Sequence, residues 1–218
     1  PRLDLTAFPV VTIDDASTRE IDDGLNLEVL ADGRERLWIH IADPSRWVQP
    51  GDALDAEARE HATTLYLPER VVPMFPLVLA AGPMSLRVGE VCAALSFAVL
   101  LEADGRVAEV QLHASRIRPT QRLTYEEADA LLVQETPHPL QRLAHWAQVR
   151  TRYRTARGAI SLALPELNIK VRGDTPVLNL LQDTPSRQMV AEMMILVGDC
   201  VGQYGLQHQL PLPYRQQP

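Results

Sequence analysis

Two Asp-Gly pairs, Asp32-Gly33 and Asp104-Gly105, each lie between apolar-rich runs. Such a pair favours the tight turns that join antiparallel strands, so each commits its flanks to a hairpin. The first joins a strand predicted over Leu25–Leu30 to one over Leu37–Ala42. The second joins Leu95–Leu101 to Val107–Ile117. A further buried strand is predicted over Phe8–Ile13. Helical spacing then takes over. Leu54, Ala58, His61, Ala62 and Leu65 predict a helix over Asp52–Leu65, stopped by Pro68. Thr124-Tyr-Glu-Glu127 is a capping box that opens a helix running to about Val133. Pro139–Arg157 is amphipathic and ends at Gly158, and Pro185–His208 carries Met189, Met193, Val197 and Val201 as a buried stripe. Residues 69–94 read as extended loop and Leu167–Val171 as a short strand. Strands grouped first and helices later predict an α+β fold, a mixed or antiparallel sheet packed with helices.

Composition removes several classes. With 218 residues and 46% hydrophobic content, the chain is long and apolar enough for one large domain or two small ones, which excludes wholesale disorder. The longest uncharged stretch, Val71–Leu86, is interrupted by Pro73, Pro76 and Pro83 and is too short for a bilayer, so no membrane partner is expected. Cys92 and Cys200 are too few for a multi-cysteine zinc site or a disulfide scaffold, and no signal peptide is visible. A reducing, cytoplasmic setting is the expectation. The first residue is Pro1 and the last eight are Pro-Leu-Pro-Tyr-Arg-Gln-Gln-Pro, so both ends read as cuts through a larger polypeptide.

A net charge of −7 and a pI near 5.4 disfavour nucleic-acid binding by overall charge. The distribution is uneven, however. Residues 1–60 hold 14 acids against six arginines, and residues 61–218 hold 14 acids against 15 bases. Arg142, Arg150, Arg152, Arg154 and Arg157 share a 16-residue window without an acid, and Arg116, Arg118 and Arg122 form a second such group. Runs of this kind are either a solvated face or an anion-binding surface opposite an acidic centre. Every base except Lys170 is arginine, which suits bidentate phosphate contacts, although a compositional bias gives the same count.

The acidic centre is explicit in the sequence. Asp14, Asp15, Glu20, Asp22 and Asp23 fall within ten residues, between two predicted strands. Carboxylates that converge raise one another's pKa unless a cation neutralises them. A hard divalent cation such as Mg²⁺ accepts a few carboxylates and keeps water sites that phosphate oxygens can occupy. Metal-assisted phosphodiester cleavage is one chemistry for such a site. A solvated Asp-rich turn is the plain alternative. An EF-hand calcium loop fails, because counting from Asp14 its required acids fall on Ala16, Thr18 and Leu25.

The stretch Thr12-Ile-Asp-Asp-Ala-Ser-Thr-Arg-Glu-Ile-Asp-Asp23 resembles the signature of the catalytic (RNB) domain of the ribonuclease II/ribonuclease R family. Similar elements follow in order: Ile39-His-Ile-Ala-Asp-Pro44 with Trp47, Tyr66-Leu-Pro68, Pro73-Met74, and Ser85-Leu-Arg87 with Glu90. Leu123-Thr-Tyr125, Arg157-Gly-Ala159, Glu192-Met-Met-Ile195 and Pro211-Leu-Pro-Tyr-Arg215 extend the likeness across about residues 8–215. The resemblance implies a processive, Mg²⁺-dependent 3′→5′ exoribonuclease acting on single-stranded RNA and releasing 5′-mononucleotides. A monomer is expected. By position, Asp14 and Asp23 would ligate metal, Asp22 would be the aspartate essential for cleavage, and Glu20 would complete the acidic, metal-holding set. Tyr66 would stack on a base, and Tyr125 and Glu192 would hold the 3′-terminal nucleotide. Two positions depart from the family, which has aspartate at Glu20 and alanine at Gly24. The family's Ser-Pro-Ile-Arg-Arg-Tyr segment, with its catalytic arginine, lies outside this sequence. These departures keep open a catalytically weak or inactive RNA-binding module as the alternative.

Overall fold

The computed structural model describes residues 1–161, 166–172 and 175–214. The chain enters through β1 (Leu3–Asp4), then β2 (Val10–Ile13), β3 (Asp23–Val29) and β4 (Glu35–Ala42). Helix α1 (Ala53–His61), the strand pair β5 (Leu65–Tyr66) and β6 (Val71–Val72), and the single turn α2 (Leu77–Ala80) lead to β7 (Cys92–Leu101), β8 (Val107–Ile117) and β9 (Pro119–Leu123). Helices α3 (Tyr125–Leu132) and α4 (Pro139–Ala156) come next, then the hairpin β10 (Glu166–Arg172) and β11 (Thr175–Leu181), and finally α5 (Pro185–His208). The fold is α+β.

Both Asp-Gly hairpins form. Gly33 and Gly105 adopt φ of 83° and 92°, a conformation glycine takes without penalty. At Gly105 space is also tight: an added Cβ would lie 3.0 Å from the carbonyl oxygen of Val149 on α4. Helix α1 starts as expected, with Asp52 accepting from the Asp55 N–H at 2.8 Å, but it stops at His61 rather than Leu65. Ala62 turns left-handed at φ 60°, and the freed Leu65 and Tyr66 pair with Val72 and Val71. The capping box at Thr124 is reciprocal, with Glu127 N–H donating to Thr124 Oγ1 and Thr124 N–H to Glu127 Oε2.

Seven strands join in the order β1-β8-β7-β4-β3-β2-β9. Strands β8 and β9 stand five positions apart in that order, about 24 Å in a flat sheet. Yet only Arg118 separates them in the chain, and two residue steps reach about 7 Å. The sheet must therefore curl until its ends approach. Leu37, Ile39, Phe97 and Val99 point to one face, where Ala128, Leu140, Leu143, Met189, Met193 and Leu196 of α3, α4 and α5 cover them. The alternate residues Trp38, Ala42, Ala94 and Ala98 form a second core on the other face with Leu5, Ile21, Leu86 and Ile117, supplied by strands and loops alone. Helix α5 is long and apolar enough to cross a membrane, with mean hydropathy 1.2, but its Met189, Met193, Leu196 and Cys200 are packed in the core. Both cysteines are buried free thiols.

Candidate active site

The carboxylates sit in the connection from β2 to β3, and the surrounding chain dictates its shape. Asp14 directly follows β2, its N–H donating to the carbonyl of Leu123 at the end of β9 (3.1 Å). Because the capping box starts α3 one residue later, Tyr125 is delivered beside Asp14. Asp14 Oδ1 accepts from Asp15 N–H (2.7 Å) and Thr18 Oγ1–H (2.8 Å), folding the loop back on itself. Arg122 clamps the same loop from β9, donating to the carbonyls of Asp15 (3.3 Å) and Thr18 (2.6 Å). Farther along, Ile21 is buried. Its N–H donates to Ser85 Oγ at 2.8 Å and its carbonyl accepts from Leu86 N–H at 2.8 Å. Extended backbone sends alternate side chains to opposite sides, so anchoring Ile21 inward turns its neighbours Glu20 and Asp22 the other way.

The electrostatics follow from this convergence. Asp15 is neutralised by an ion pair with Arg187 of α5. Among the described residues, Asp14, Glu20, Asp22 and Asp23 have no cationic partner. Burial, then the charges of Asp14 and Asp22, push Asp23 up to about 7, and its Oδ2 is buried without a hydrogen-bond partner. Asp22 opens to solvent at its rim. Partial withdrawal from water, then Glu20 and Asp14, still lift it to about 6. Glu20 Oε2 accepts from Thr64 Oγ1 at 3.3 Å. No three His, Cys, Asp or Glu side chains among the described residues form a closed cation cage. An orphaned carboxylate oxygen among mutually repelling carboxylates is nonetheless the donor chemistry that a hard cation satisfies.

Two tyrosines flank the acids. Tyr66, on β5, is 71% exposed, and the charges of Glu20, Asp22 and Asp14 add to partial burial in raising its pKa. Tyr125 is half-buried. Burial, then Asp14 and Asp23, push its phenol up to about 12.

A family model described as the RNB domain matches residues 2–218. The chain belongs to that family. An uncharacterized ribonuclease of Synechocystis sp. is 51% identical over 221 residues, covering 100% of this chain and 33% of its own length. The chloroplastic/mitochondrial ribonuclease II of Arabidopsis thaliana is 43% identical over 225 residues, covering 100% and 28%. This RNB chain thus spans about a third of the curated relatives it matches. Among solved structures, Mycoplasma genitalium RNase R in complex with ribose methylated single-stranded RNA superimposes with a TM-score of 0.92 at 24% identity, over 100% of this chain and 35% of that one. Yeast Ssd1, a pseudonuclease, shares the fold at a TM-score of 0.80 and 20% identity, over 100% of this chain and 28% of its own.

Within this RNB domain, Asp14, Glu20, Asp22, Asp23, Tyr66 and Tyr125 come together. Glu192 is placed differently. It lies on α5, buried at 3% exposure, and both its oxygens are engaged. Arg154 of α4 donates to them at 2.8 and 2.7 Å, and Thr151 Oγ1–H at 3.1 Å. Of the eight arginines in the two windows, four are tied to acids. Arg142 pairs with Glu35, Arg150 with Asp199, Arg154 with Glu192 and Arg116 with Asp4, so these charges fasten elements together. The site residues that sequence reasoning missed are Arg187 and Thr64, and Arg122 stood out only as one of an arginine group. Their roles depend on contacts between segments far apart in the chain, and no local motif marks them.

Proposed function

We propose that this chain is the catalytic part of a Mg²⁺-dependent exoribonuclease that shortens single-stranded RNA from its 3′ end and releases 5′-mononucleotides. The observation that carries this reading is the loop from Asp14 to Asp23. It gathers four carboxylates without cationic partners among the described residues, one with an orphaned buried oxygen, between an exposed tyrosine and a half-buried one. Asp14, Glu20, Asp22 and Asp23 would hold the cation. When bound, it supplies positive charge for the phosphate oxygens and lowers the pKa of a coordinated water.

The chain's own groups supply the rest. Arg122 and Thr18 fix the loop so that the carboxylates meet the scissile phosphate in one orientation. Asp22, open to solvent among the carboxylates, is suited to accept a proton from the attacking water. Tyr66 presents a free ring on which any base can stack, a contact worth about 1–3 kcal/mol without sequence preference. Tyr125 keeps its phenolic proton at neutral pH and can donate it to the terminal nucleotide. Glu192 would have to share its carboxylate with Arg154 to hold the terminal nucleotide.

The test is cleavage of 5′-labelled single-stranded RNA with and without Mg²⁺. Progressive shortening from the 3′ end supports the reading, and Asp22→Asn should then lower kcat by about 10²–10⁴-fold. Near wild-type cleavage by that variant would remove Asp22 from its role. A second reading, RNA binding without cleavage, is favoured by one observation: a glutamate stands at position 20, and one of its carboxylate oxygens is already engaged by Thr64. It predicts tight RNA binding with no mononucleotide release, and a gain of cleavage in Glu20→Asp.

A further inference from the structure

Arg187 occupies the first turn of α5 and makes two contacts that meet at the candidate site. Its guanidinium carbon lies 3.9 Å from the centroid of the Tyr125 ring, and its Nη2 ion-pairs with Asp15 in the carboxylate loop. The surrounding chain holds both helix starts in place. Ser186 Oγ–H donates to the Tyr125 carbonyl (3.1 Å), and Ser186 N–H donates to Asp129 Oδ1 of α3 (2.8 Å). Three segments therefore close on one side chain: the β2–β3 loop through Asp15, α3 through Tyr125, and α5 through Arg187 itself.

A planar guanidinium at this separation is a cation–π contact. It covers one face of the Tyr125 ring and restricts its tilt, leaving the other face, the edge and the hydroxyl. The ion pair with Asp15 fixes the guanidinium in turn, with the arginine side chain only 23% exposed. It also removes one of the five negative charges from the loop, while leaving Asp14, Glu20, Asp22 and Asp23 unpaired among the described residues.

We propose that Arg187 is a positioning residue for the terminal nucleotide: by covering one face of Tyr125 and holding Asp15, it fixes the tyrosine against the carboxylate loop. The inference rests on the reading of Tyr125 as the residue that holds the 3′ end. Its cost to the site would appear in RNA affinity, since ring orientation governs binding before chemistry.

The experiment is a double-mutant cycle in the Asp22→Asn background, which separates binding from cleavage. Affinity for a fluorescent single-stranded RNA with a free 3′ end is measured by anisotropy in Mg²⁺. Tyr125→Leu should weaken binding about tenfold, and Arg187→Met, which keeps the aliphatic stem, about three- to tenfold. Combining them should give no further loss, because Arg187 acts through the ring. Arg187→Lys, which keeps a cation over the ring and beside Asp15, should recover part of the affinity. Full additivity of the two losses would overturn the proposal and make Arg187 a direct RNA contact. Undiminished affinity in Arg187→Met would also overturn it. Unchanged affinity in Tyr125→Leu with normal cleavage by the otherwise wild-type protein would instead fail the assignment of Tyr125, leaving the exoribonuclease reading intact. Should Arg187→Met not fold, Arg187→Ala and Arg187→Lys run through the same cycle, and additivity there overturns the proposal equally.

Discussion

At Gly24 a single missing methyl is a packing decision. Glycine costs a strand conformational entropy, so alanine is the better strand residue in isolation. Here, however, an added Cβ would lie 2.8 Å from Val10 Cγ1. Valine is stiff at χ1 and Val10 is fully buried, so it cannot give way freely. Gly24→Ala should therefore destabilise the fold by about 1–3 kcal/mol, and Val10→Ala in the same chain should recover much of that loss in a denaturant titration. A gain of stability from Gly24→Ala alone would show that β2 relaxes. One residue earlier, Asp23 tests what the site stores. Its carboxyl pKa is raised, so its charge destabilises the cation-free fold increasingly as pH rises from about 4 toward 7. Asp23→Asn should thus raise Tm in EDTA at neutral pH, because it removes a buried charge that the neighbouring carboxylates repel. Mg²⁺ should raise the wild-type Tm, and the same change should abolish that rise. Equal Mg²⁺ shifts in both proteins would sink the assignment of Asp23 to the cation.

Among the elements, the packing of α4 against α5 rests on a pair that sequence alone could not place. Glu192 has a side-chain exposure of 4% and Arg154 of 31%. Removing a partner from a buried pair costs about 3–5 kcal/mol because a charge is left uncompensated, and the partial exposure of Arg154 puts the cost at the lower end. Arg154→Met should destabilise accordingly, whereas Arg154→Met with Glu192→Met should recover most of the loss by urea unfolding. If the double variant is no more stable than the single, the pair is holding something beyond its own charges. This exchange also shows where legibility ends. The acid-free arginine window of α4 was visible, but the acids that answer it lie at Glu35, Glu192 and Asp199, outside the window. Local signals fared better. Both Asp-Gly turns and the Thr124 capping box are decided within a few residues, and each appears as read; of the predicted α5 stripe Met189 and Met193 are buried, but Leu196 and Cys200 fill the core where Val197 and Val201 are only partly buried. The second strand of the last hairpin, β11, escaped notice, as did the early stop of α1, whose freed residues take up pairing with β6.

Across the whole molecule, the deciding feature is the curl, and its signal is non-local. Pairings β1 with β8 and β2 with β9 are both parallel and join residues more than 100 apart, so no periodicity announces them. What the curled sheet encloses is partly polar. Asn26 Oδ1, His40, Ser96 and Ser115 form a buried chain across β3, β4, β7 and β8, with His40 Nε2 at 2.8 Å from Asn26 and Nδ1 at 2.6 Å from Ser96 Oγ. The small residues Ala94, Ser96 and Ala98 of β7 leave room for it. A neutral ring serves both contacts, with one nitrogen donating to the Asn26 oxygen and the other accepting from the serine hydroxyl; an imidazolium would donate at both nitrogens and make Ser96 the acceptor, so what opposes its charge is burial. Burial accordingly holds His40 down at about 3, against 6.5 for a free histidine. The sign follows. Below pH 6.5 the unfolded chain takes a proton that the folded chain refuses, so this histidine's contribution to stability is complete above pH 6.5 and drains away toward pH 3, at up to about 1.4 kcal/mol per pH unit. Asp22 and Asp23 act oppositely over much of that range, since their raised values favour the protonated folded state as pH falls. His40 is therefore best isolated by difference. Unfolding free energies of the wild type and His40→Gln, which can serve the same two partners without titrating, should converge or cross as pH is lowered from 7 to 4.5. Parallel curves would mean that protonated His40 is accommodated in the fold.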